Sequence, residues 1–139
     1  MTTTPPALRY GFERSLEQVS FEDAIAQVTA ALQAEGFGVL TEIDVAATLK
    51  KKLDISFRRY VILGACNPSL AHRALEADPS IGALLPCNVV LRHEAGETVV
   101  EVMDPRAVMG LVANPAVEAV AVEAEERLRR VIESLGAGG

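Results

Sequence analysis

The stretch Arg59–Ala77, RYVILGACNPSLAHRALEA, decides the fold. It opens apolar on both alternating faces, with Tyr60 and Ile62 on one side and Val61 and Leu63 on the other, the pattern of a central strand buried on two sides. At Cys66 the pattern stops. Asn67 followed by Pro68 is a strong helix start, because the asparagine oxygen can cap free amides and proline at the first helical position gives up no needed donor. A helix to about Ala77 follows, ended by Asp78 and Pro79.

Working outward from this handover gives a mixed chain of strands and helices. Upstream, Tyr10 and Phe12 alternate with Arg9, Gly11 and Glu13, the period of a strand with one buried face. Ser20 reads as an N-cap with Asp23 as a partial capping box, Phe21, Ile25, Val28 and Leu32 recur at helical spacing, and Gly36 supplies the stop. Val39–Ile43 forms the next strand. Asp44 then caps a short helix carrying Val45, Leu49 and Leu53 at intervals of four.

Downstream, Gly82 and Pro86 punctuate the chain before strands at Cys87–His93 and Thr98–Met103, which flank a turn at Ala95 and Gly96 and should form a hairpin. Asp104–Pro105 and Asn114–Pro115 repeat the cap-and-proline device. They open a short helix and then a long one, whose Val117, Val120, Ala121, Ala124, Leu128, Val131, Ile132 and Leu135 make a wide apolar stripe. The tail Gly136–Gly139 reads as disordered.

With 139 residues, half of them hydrophobic, the chain has enough apolar material for one core, so a single domain over 1–139 is expected, ordered from about 7 to 135. The net charge of -6 and a pI of about 4.9 argue against general affinity for nucleic acid or an anionic membrane. Met1–Pro6 lacks the basic start and apolar run of a signal peptide, and no stretch approaches the roughly 18 apolar residues of a membrane span. A cytoplasmic protein with reduced thiols is the expectation.

Both cysteines precede an asparagine, Cys66 with Asn67 and Cys87 with Asn88, in a chain with two cysteines and three asparagines. Cys66 sits just before a helix N-cap, where free amides and the helix dipole favour thiolate, so it is a candidate nucleophile, redox sensor or ligand. The plainer reading is a small residue filling a tight turn. Asn67 has a structural explanation as a cap. Asn88 has none as good, and either amide could orient a carbonyl or amide ligand.

Two histidines follow the cysteines at the same spacing, His72 six residues after Cys66 and His93 six after Cys87. On one strand, six steps of roughly 3.3 Å put Cys87 and His93 about 20 Å apart, so they cannot share a metal. Only Cys66, His72 and Cys87 could converge, without the close double-cysteine spacing of zinc sites, and no metal site is expected. Lys50, Lys51, Lys52, Arg58 and Arg59 form the one basic concentration, a candidate anion site or a solvated helix end. No phosphate loop, dinucleotide fingerprint or serine nucleophile elbow is present.

The runs GFGVLTEI (Gly36–Ile43), DVAATLKKKL (Asp44–Leu53), ILGACNP (Ile62–Pro68), AHRA (Ala71–Ala74) and LPCNVV (Leu85–Val90) resemble the bacterial and archaeal domain-of-unknown-function 302 family. The resemblance implies an α+β fold: a two-layer α/β sandwich with a mainly antiparallel five-stranded sheet, helices on one face, and the β-α-β(4)-α core of TATA-binding-protein-like domains. It also implies homodimers. Cys66, Asn67, Pro68, His72, Cys87 and Asn88 match its motif positions, but neither an activity nor a cofactor comes with the resemblance, and a shared fold does not carry DNA binding. The leading expectation is a homodimeric small-ligand-binding or sensing domain using Cys66, Asn67, Cys87 and Asn88. The alternatives are a thiol-dependent enzyme or redox protein, with Cys66 as nucleophile and His72 as base, and a purely structural dimer.

Overall fold

The computed structural model describes residues 10–136. Arg9 of the first strand pattern, residues 7 to 9 of the expected ordered core and the tail beyond Gly136 lie outside them. In chain order the elements are β1 (Gly11–Leu16), α1 (Phe21–Ala34), β2 (Gly38–Asp44), α2 (Val45–Leu53), β3 (Tyr60–Cys66), α3 (Pro68–Ala77), a 3-10 segment (Pro79–Leu84), β4 (Cys87–Glu94), β5 (Glu97–Met103), α4 (Pro105–Met109) and α5 (Pro115–Ser134). The five strands form one antiparallel sheet in the order β1-β5-β4-β3-β2. Helices α1, α3 and α5 pack together over one of its faces, which makes the α+β two-layer sandwich.

Local chemistry places every boundary that matters for the site. The side chains of Ser20, Asp44, Asn67, Asp104 and Asn114 each accept a backbone N–H at the start of their helix. Helix α1 ends as a Schellman turn: Gly36 adopts φ +85, and the Phe37 N–H donates to the Leu32 carbonyl at 2.9 Å. Ala95 and Gly96, both at positive φ, make the tight turn between β4 and β5.

Alternation along the strands sorts side chains between the faces. Val61, Leu63 and Ala65 of β3, Cys87, Val89 and Leu91 of β4, and Val100 and Val102 of β5 are buried in one cluster with Val28, Leu32, Val120 and Leu128 from the helices. At roughly 2 kcal/mol for each large aliphatic side chain buried, this layer supplies most of the drive to fold. The opposite face carries Tyr60, Ile62, Asn88, Val90 and Glu101, and no element of the described chain covers it completely.

Two expectations change. Tyr10 does not share the buried face of the first strand with Phe12; it precedes β1 and is 65% exposed, while Phe12 packs on the core under the Arg129 guanidinium. The spacing of Val45, Leu49 and Leu53 does give a helix, but α2 buries no residue. Val45 and Leu49 on its apolar side are only partly covered, and Leu53 is exposed.

Candidate functional site

Cys66 is the last residue of β3 and Cys87 the first of β4, and Ala65 pairs with Cys87 across the ladder. The two thiols therefore start from neighbouring backbone. Cys87 points inward by strand alternation and is buried; Cys66 stands where the chain leaves the sheet for α3 and is half-buried. Both line one crevice, together with Asn67, Phe37, Leu70 and Met109. They are not joined by a disulfide.

The crevice is small and apolar. Its cavity volume is about 20 Å³, and a single water needs roughly 10–15 Å³. A metabolite does not fit there. Burial pushes the Cys87 thiol from its ordinary 9.0 up to about 11, with the Cys66 charge adding to the effect, and burial also pushes the Cys66 thiol up. This reverses the expectation of a thiolate at the helix start: Asn67 already occupies the Leu70 N–H at 3.2 Å, and the apolar surroundings dominate.

Asn67 is committed at both ends of its amide. While its oxygen accepts from Leu70, its nitrogen donates to the Glu35 carbonyl at 3.5 Å, an oxygen that also accepts from Arg127 at 3.1 Å. The side chain is buried and ties the start of α3 to the end of α1. It is a clamp between two helices, with one donor and one acceptor bond already made.

Asn88 goes elsewhere. One residue beyond inward-facing Cys87, it projects from the other side of the sheet and is exposed. There it lines a concavity of about 310 Å³ with Tyr10, Tyr60, Val90, Glu101 and Met103. Being within a strand, it caps nothing. Glu101 on the same face is ion-paired with Arg92, which also bonds Glu94 at 2.7 Å and lies 3.8 Å from Glu13.

The remaining candidates scatter. His72 is on the outer side of α3, 75% exposed and 3.4 Å from Glu76, so it cannot serve Cys66 as a base. His93 is exposed at the far end of β4. Among the described residues, no group of three His, Cys, Asp or Glu side chains is arranged to hold a metal. The basic run is spread along the surface, with Lys50 held by Asp54 at 2.8 Å and Arg59 by Glu22 at 2.8 Å over the Phe21 ring. Helices α4 and α5 border a wider groove of about 590 Å³, where Arg106 pairs with Glu125, Asp104 and Asn114 are helix caps, and the Glu118 carboxylate has no ion pair among the described residues. Sequence reasoning missed Met109 and Tyr60 as site residues; each looked like an ordinary apolar position of its element.

An antiparallel sheet with helices on one face, an open concavity on the other and a sulfur-lined crevice at a strand-to-helix turn define the class of protein. Within that class the chain belongs to the family described as domain of unknown function DUF302, whose model matches residues 12–135. It is similar to the crystal structure of an uncharacterized conserved DUF302 protein from Bacillus stearothermophilus, with 29% identity and a TM-score of 0.83 over 91% of this chain and 98% of that one. No curated protein matches it. Among the described residues no helix is long and apolar enough to cross a membrane.

Proposed function

We propose that this is a cytoplasmic, homodimeric domain of bacterial type that binds a small molecule on the open face of its sheet. The observation that carries the reading is the placement of Asn88: a side-chain amide with no hydrogen bond among the described residues, set among Tyr10 and Tyr60 in a concavity of about 310 Å³. That volume is at the lower end of small-molecule sites. Tyrosine rings and Val90 and Met103 offer apolar contact, and the Asn88 amide offers two donors and an acceptor. The ligand class that fits is a compact, largely apolar molecule with a carbonyl or amide, matching a lining of tyrosine, valine and methionine side chains around the Asn88 amide.

Support for the homodimer comes from the edge at β2. Its backbone is unpaired on one side, and Leu40, Ile43, Leu53, Ile55 and Phe57 are exposed along β2, α2 and the segment after it. An edge strand beside uncovered apolar side chains is the kind of surface a second copy can bury. The thiol-enzyme alternative has less support, because His72 lies away from Cys66 and both thiols are held protonated. A thermal-shift screen of compact amides and ketones tests the reading. Wild-type protein should be stabilised by a hit that Asn88→Ala does not bind; a hit that binds both proteins equally removes the site from the open face, and no hit at all counts against the ligand class.

A further inference from the structure

The basic run, which the open-face site leaves unused, encloses apolar side chains that stand in solvent. Every residue of KKKLDISFRR, Lys50–Arg59, is exposed. Leu53, Ile55 and Phe57 are 61%, 45% and 45% exposed, with Lys50, Lys51 and Lys52 before them and Arg58 and Arg59 after. We propose that this segment, the C-terminal end of α2 and the chain leading into β3, docks the protein on an anionic lipid surface.

Backbone geometry gathers the apolar side chains. Val45, Leu49 and Leu53, four apart, share one side of α2. The helix ends in a Schellman turn: Asp54 takes φ +54, its N–H donates to the Lys50 carbonyl at 3.0 Å, and the Ile55 N–H returns to the Leu49 carbonyl at 3.4 Å. Ile55 is thereby folded back beside the turn that carries the apolar side. By helical spacing Lys50 and Lys52 lie on the two flanks of that side, and Lys51 falls opposite it. Farther on, the Arg58 guanidinium stands 5.7 Å from the centre of the Phe57 ring, so cation and apolar surface meet again.

Charge selects the occupant. The segment holds five cations and one carboxylate, a net of +4 in a chain of -6, so the remaining residues carry -10. Lys51 and Lys52 make no ion pair among the described residues, and Lys50, Arg58 and Arg59 reach Asp54, Glu94 and Glu22 only through exposed pairs, which contribute little. Beyond a Debye length of about 8 Å the acidic remainder is screened, so the whole-chain charge does not cancel this end. A second copy docked here across a twofold axis would set +4 against +4, which leaves it the β2 edge with Leu40 and Ile43. The segment lines none of the concavities described above, so its partner must accept protruding side chains. A lipid interface does so without a preformed pocket, its headgroups pairing with the cations while Leu53, Ile55 and Phe57 enter the acyl boundary.

The test is flotation of the intact chain with vesicles of phosphatidylcholine alone and of phosphatidylcholine with phosphatidylglycerol. The expected result is flotation with the anionic vesicles only, lost at high salt. Lys52→Glu should weaken partition at least about tenfold, and Lys51→Glu less. Leu53→Gln should weaken it about threefold. All three positions are exposed, so the variants should unfold in urea as wild type does, and Asn88→Ala, on the open face, should float unchanged. No flotation with anionic vesicles, flotation indifferent to Lys52→Glu, or retention by soluble polyglutamate in place of vesicles would overturn the proposal. So would a wild-type dimer that ignores vesicles and that Leu53→Gln dissociates.

Discussion

The dipeptide Cys–Asn occurs twice, and the two copies do opposite things with the same chemistry. At Cys66–Asn67 the chain is turning from a strand into a helix, so both residues border the crevice and the amide becomes a clamp. At Cys87–Asn88 the chain is within a strand, so consecutive side chains fall on opposite faces and only the thiol reaches the crevice. Backbone conformation, not residue identity, assigns the roles.

The largest expected effect that could break this comparison is on stability. Asn67→Ala removes a helix cap and a link to the Glu35 carbonyl, and should cost about 2 kcal/mol. Asn88→Ala, at an exposed strand position, should stay within about 0.5 kcal/mol. Urea unfolding of the two variants checks the pair; equal losses would mean that Asn88 also has a structural duty.

The next effect follows from the Cys87 thiol. Its proton is held more tightly in the folded chain, with a value of about 11 against an ordinary 9.0. Folded-state stability from this group is therefore complete below pH 9 and is lost as pH rises toward 11, because the unfolded chain gives up the proton first. Linkage puts the loss at about 1 kcal/mol by pH 10. Cys87→Ala should show a flatter stability profile between pH 8 and 10 on the same unfolding measurement, and an unchanged slope would locate the alkaline loss in another group.

A smaller, kinetic difference sharpens the contrast between the thiols themselves. Cys66 is reachable but protonated, so alkylation at pH 8 should be slower than for an unstructured cysteine peptide, and Cys87 should react only on unfolding. Mass spectrometry of the alkylated peptides separates the two. Rapid labelling of Cys66 would restore the nucleophile reading.

How far the sequence reaches is set by the range of each signal. The five helix caps were legible because a cap is a contact over two or three residues, and the alternation in Tyr60–Leu63 was legible because a strand has only two faces. The pairing of Ala65 with Cys87 is a tertiary register, and Met109 lines the same crevice only because α4 folds back, so neither has a local signature. The spacing of Val45, Leu49 and Leu53 gave a helix but not its surroundings: periodicity marks an apolar side and is silent on whether anything covers it. Cys66 shows the same limit in electrostatics, where the helix start was readable and the apolar walls around it were not.

Three asparagines make the central claim directly measurable, because each side-chain amide gives its own pair of signals in a nitrogen-correlated NMR spectrum. With a compact amide or ketone ligand from the thermal-shift screen, the Asn88 pair should shift while those of Asn67, clamped between helices, and Asn114, the α5 cap, stay in place. A spectrum in which Asn67 shifts and Asn88 does not would contradict the account, returning the ligand to the thiol crevice.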